Sequence, residues 1–131
     1  MNVLFIVSMI VEAIFGLGFV LAPDSVVNPL GVTLDEIGII FARLFGSAIL
    51  SFVVLLWFAR KSDNAEFRLG VVTSMSVFYA MSAVLLLIAE LNGLMNIIGW
   101  IVVALQVVLV LWFYYFLVKM SVKPAREKPS R

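Results

Sequence analysis

Four long and nearly uninterrupted apolar stretches, Val3 to Leu21, Ile37 to Ala59, Leu69 to Ala89 and Ile97 to Val118, leave this chain few ways to fold. As helices rising ~1.5 Å per residue, each is long enough to cross a hydrocarbon core of ~30 Å. Membrane β-strands are shorter and alternate in polarity, so these continuous runs predict helices. The expected fold class is all-α, a polytopic membrane protein built as an antiparallel four-transmembrane-helix bundle over residues 1–120. Residues 121–131 are expected to form a basic, disordered cytoplasmic tail. Composition agrees: 64% of the 131 residues are hydrophobic and 13% charged, against ~25% charged in soluble domains.

The first stretch lacks a basic leader and carries Glu12. Pro23 directly follows Ala22, the only plausible cleavage position, so the stretch is expected to stay as a permanent helix rather than a signal. The chain has no cysteine and no histidine. Disulfides, thiol chemistry and the usual haem and metal ligands are thereby removed, and neither a cofactor nor a metal is expected. No nucleic-acid partner is expected either; the partners expected are the lipid bilayer and a membrane protein or further copies of the chain.

Basic residues set the orientation. The gap between the second and third stretches holds Arg60, Lys61 and Arg68, and the region after the fourth holds Lys119, Lys123, Arg126, Lys128 and Arg131. Four crossings put these regions on one side, which the positive-inside rule makes cytoplasmic, with both termini inside and the protein in the inner (plasma) membrane. Trp57, Phe58, Trp112, Tyr114 and Tyr115 fall near the inner interface and Trp100 near the outer one, as aromatic belts do. Pro23 and Asp24 suit the start of a short surface helix, Pro29 and Gly31 its end. Thr33 and Glu36 have the spacing of a capping box for the second helix, and Asn92 with Gly93 suits a tight turn between the third and fourth.

The polar residues inside the membrane are the candidate site. Counting from the inner surface at ~1.5 Å per residue, Glu12 and Ser51 lie ~15 Å deep, Ser76 and Tyr79 ~12–17 Å, and Ser47 and Gln106 ~20 Å. Ser8, Glu12 and Gly16 share one helical face, and so do Arg43, Ser47 and Ser51; both stripes are expected to face inward. Thr73, Ser76, Ala80 and Ala83 on the third helix, and Gly99, Val103 and Gln106 on the fourth, are expected to make small-residue packing faces. Most of these residues suit interhelical packing. Glu12 and Arg43 are different, because an ionisable residue at this depth is expensive. They could pair directly, or Arg43 could reach outward to Glu90, Glu36 or Asp35 while Glu12 is hydrogen-bonded to Gln106, Ser47 or Ser51. A structural polar clamp and a ligand, proton or substrate role both remain open for Glu12, Arg43, Ser47, Ser51, Gln106 and Glu90.

With Pro23-Asp24 just after the first helix and Arg43-Leu44-Phe45-Gly46 early in the second, the chain resembles the DoxX-like group of small four-helix bacterial membrane proteins. That group includes many uncharacterised members and proteins named as subunits of membrane oxidoreductases. The resemblance implies a four-helix fold and a partner enzyme, with Arg43 part of the helix-two pattern; the absence of histidine speaks against carrying haem. A single glutamate midway along helix one is also similar to the small multidrug resistance transporters, where a carboxylate alternates between a proton and a cationic drug; Glu12 would be that residue. The aromatic and glycine pattern of that family is not recognisable here, and the inside bias argues against dimers of opposed orientation. The first expectation is therefore a non-catalytic integral membrane protein, an accessory subunit or a small-hydrophobe-binding bundle. The second is a small proton-coupled transporter. No enzyme is expected, since no nucleophile and acid set converges at one interface.

Overall fold

The computed structural model describes residues 1–122. Its helices are α1 (Asn2–Leu21), α2 (Pro23–Val27), α3 (Glu36–Lys61), α4 (Ala65–Leu91) and α5 (Gly99–Val122), with one 3-10 turn at Asn28–Leu30 after α2 and no strand among the described residues. The four long helices have 20, 26, 27 and 24 residues, or ~30–40 Å of length. All four are long and apolar enough to cross a bilayer. The chain is an all-α, multi-pass membrane bundle, as its apolar runs require.

Helix ends follow local hydrogen bonding. The expected Thr33 capping box does not form; Asp35 is the cap instead, its Oδ1 accepting from the Gly38 N–H at 2.7 Å. A carboxylate directly before the first turn satisfies a free N–H and meets the positive helix end. Asn64 does the same for α4, accepting from the Phe67 N–H at 3.0 Å, so this helix begins four residues before the apolar run. Residues 62–64 alone then join α3 to α4. Arg60 and Lys61 fall in the last turn of α3, where cations complement the helix dipole, and the Lys61 ammonium lies 4.1 Å from the Trp57 ring centroid. The last helix runs past the expected end at Val118 to Val122, so the tail does not begin at residue 121; Lys123, Arg126, Lys128 and Arg131 lie outside the described residues.

The expected surface helix is present as α2 with Pro23 in its first turn, and Gly31 closes the following 3-10 turn at φ 79°. Asn96, before α5, ties this segment down. Its N–H donates to Leu30 O at 2.7 Å and its side-chain amide to Pro29 O at 2.8 Å.

The long helices associate as two close pairs, α1 with α3 and α4 with α5, with sparser packing between the pairs. Glycine makes the first pair close. A Cβ added to Gly46 would lie 2.8 Å from Gly16 O and 2.8 Å from the Phe19 Cβ. Between the pairs, the half of the bundle nearer Asn2, Lys61 and Lys119 is packed solid by Leu4, Phe5, Leu56, Val72, Met75, Tyr79, Leu109 and Phe113. The small-residue face expected on α4 is not what packs: Thr73 and Ala80 are exposed, while Val72, Met75 and Tyr79 are buried. The Thr73 and Ser76 hydroxyls donate to their own helix, to Leu69 O at 2.8 Å and Val72 O at 2.7 Å. A hydroxyl satisfied locally places no demand on a neighbour, so shape and volume decide the rotation of the helix.

Candidate functional site

Where the packed half ends, the bundle becomes hollow. A cavity of about 310 Å³ lies between the two helix pairs, walled by Phe15, Phe19, Phe45, Ile49, Phe78, Leu85, Leu86, Val102 and Leu105, and bordered by Val26 and Leu30 from the surface segment. Glu12, Ser82 and Gln106 are its polar residues. This size sits at the lower end of the ~300–1,000 Å³ range of small-molecule sites, and an apolar wall with few polar groups is their usual make-up.

Glu12 is placed by α1 and is only 4% exposed. The Tyr79 hydroxyl, from α4 across the pair boundary, donates to Glu12 Oε1 at 2.5 Å. Tyr79 is itself fully buried, between Phe78 (5.4 Å between ring centroids) and Phe113 (5.3 Å). The phenol thus comes from the packed half and the carboxyl stands at the border of the cavity. Ser8, one turn away on α1, is fully buried beside this border. Gln106 contributes from α5, and its Oε1 is buried with no hydrogen-bond partner among the described residues.

The six residues expected to form one site separate into three places. Glu12 and Gln106 both line the cavity. Glu90 is buried at the far end of α4, 7% exposed, its carboxylate against Gly99, where an added Cβ would overlap it; eleven residues separate it from Tyr79, or ~16 Å along the helix. Arg43, Ser47 and Ser51 share a face as expected, but that face is exposed rather than inward. The Ser47 and Ser51 hydroxyls donate to Arg43 O at 2.9 Å and Ala48 O at 2.6 Å, not to Glu12. Gly46 explains the reversal. It is buried with Ile49 and Leu56 on the face turned to the bundle, and at ~100° per residue Arg43, Ser47 and Ser51 lie roughly 100° or more from the middle of that face. Arg43 consequently meets neither Glu12 nor Glu90. Tyr79 is the partner absent from the expected set; its depth matched that of Glu12, and its spacing from Val72 and Met75 put it on a buried helical face.

Fold and site together define a multi-pass α-helical membrane protein with a largely apolar, partly open cavity between its helix pairs, bordered by a hydrogen-bonded carboxyl. The chain belongs to the family described as Domain of unknown function (DUF8292), whose model matches residues 6–129. No curated protein and no solved structure matches it.

Proposed function

We propose that this is a non-catalytic protein of the inner (plasma) membrane, with both termini cytoplasmic, that holds a small hydrophobic molecule between its helix pairs, alone or as an accessory subunit. The carrying observation is the contrast between the two halves of the bundle: a hollow, phenylalanine-walled half ends on a solid core. A dead-ended apolar chamber suits retention of a guest better than its passage. Its walls match the lipid interior in polarity, and Glu12 and Gln106 offer a polar end of the guest a hydrogen-bonding group. The DoxX-like resemblance carries the accessory-subunit part of this proposal.

Photolabelling tests it. The purified protein in phospholipid vesicles is exposed to a short alkyl diazirine and the labelled residues are mapped by mass spectrometry. Label is expected on Phe15, Phe19, Leu86 and Leu105, and a V102F variant, which fills the chamber, is expected to lose it while keeping label on lipid-facing residues. Label confined to lipid-facing residues in both proteins would overturn the proposal. Glu12→Gln retains an oxygen that can accept from Tyr79 and is expected to leave fold and labelling intact.

The place of Glu12 at the cavity border favours a second reading, a proton-coupled transporter. That reading requires the protein in liposomes to move protons or a solute, and Glu12→Gln to abolish the flux with the bundle folded. Such a result would replace the first reading.

A further inference from the structure

The polar groups of the chamber are gathered at one end of it. Counting ~1.5 Å per residue from Asn2, Arg68 and Lys119, Glu12 lies ~15 Å deep and Ser82 and Gln106 ~20 Å, while Leu86 and Val102 stand at ~25–27 Å. Beyond the level of Gln106 the bordering side chains are all apolar, ending on Val26 and Leu30 of the surface segment. At the polar end the spare hydrogen-bonding capacity is acceptor. Gln106 Oε1 is buried without a partner among the described residues, a state that costs free energy until a donor reaches it. Glu12 Oε1 already accepts from the Tyr79 hydroxyl at 2.5 Å.

We propose that the chamber takes a neutral, hydroxyl-headed guest, a short primary alcohol, whose hydroxyl donates to Gln106 Oε1 and whose tail runs toward Val26 and Leu30. Charge selects this class. No lysine or arginine among the described residues borders the chamber, so an anionic head would lie beside Glu12 with no counter-charge. A cationic head would give up its hydration for one carboxyl that is already engaged. A hydroxyl supplies the missing donor at a far smaller desolvation cost, and its own oxygen can accept from the Ser82 hydroxyl at the same level. The head then sits in the middle of the bilayer with the tail toward the surface segment, the reverse of a lipid in that leaflet, which separates this guest from the surrounding membrane. Such a guest presupposes the retention of hydrophobes proposed above and adds its class and its direction.

The protein in phospholipid vesicles is photolabelled with the short alkyl diazirine while a straight-chain primary alcohol, its isomeric methyl ether or the amine of the same chain is titrated in, concentrations being those reached in the membrane. The alcohol is expected to remove label from Phe15, Phe19 and Leu105 at a several-fold lower concentration than the ether, which accepts but cannot donate. Label on lipid-facing residues is expected to stay. Gln106→Leu, or Gln106→Met where the first disturbs folding, is expected to keep the chamber label and to abolish the difference between alcohol and ether; a merely structural glutamine would leave that difference in place. Equal competition by alcohol and ether in the unsubstituted protein, a difference that survives in the Gln106 variants, or an amine that outcompetes the alcohol would overturn the inference and leave retention standing. Absence of chamber label without any competitor would remove retention itself, and the alcohol with it.

Discussion

At the scale of single residues, the pair that matters is Glu12 with Tyr79. Neither is explained by hydrophobicity; each is tolerated because the other satisfies it, the phenol donating to Glu12 Oε1 at 2.5 Å. Interhelical hydrogen bonds in membranes are worth ~0.6 kcal/mol on average and up to ~1.7, and a buried acceptor left without its donor adds desolvation cost. Tyr79→Phe keeps the ring stack and removes only the donor, so it is expected to destabilise the bundle by ~1–2 kcal/mol in a denaturing-detergent titration. A change below ~0.3 kcal/mol would mean that the bond contributes nothing net. The depth of Glu12 was legible in the sequence from its place in an apolar run. Its partner was not, because Tyr79, Ser47, Ser51 and Gln106 lie at similar depths and only helix rotation distinguishes them.

Among the elements, α1 and α3 form the tightest association, and glycine is its cause. Gly46 approaches a backbone atom, Gly16 O, which cannot yield without moving α1; Gly70 on α4 has nothing within 4 Å of an added Cβ. Gly46→Val is therefore expected to cost ~1–3 kcal/mol through overpacking. Gly70→Ala is expected to be neutral or to stabilise by up to ~1 kcal/mol through helix propensity. The same titration checks both, and equal effects would show that close approach is not what holds the pair. Helix existence and number were plain in the apolar runs. Their ends were less so: Asp35 displaced Thr33 as a cap, and Asn64 extended α4 backwards, since a capping bond of one residue outweighs a small difference in hydropathy.

For the whole molecule, the proposed orientation makes a prediction of its own. Arg60, Lys61, Arg68 and Lys119 all lie at the end of the bundle that carries Asn2, and the positive-inside rule assigns that end to the cytoplasm. In intact cells, D63C is expected to resist a membrane-impermeant maleimide and N92C to react with it; the reverse pattern would invert the topology. By itself the sequence determined that the chain crosses a bilayer four times as helices, because twenty apolar residues leave the backbone no other way to satisfy its hydrogen bonds in lipid. Only the tertiary structure decided which polar residues meet. Lipid is as apolar as the helix surfaces, so no hydrophobic force rotates a helix to hide one side; close packing does. The burial of Gly46, Ile49 and Leu56 on one side of α3 left Arg43, Ser47 and Ser51 outward, while the packing of α4 brought Tyr79 to Glu12.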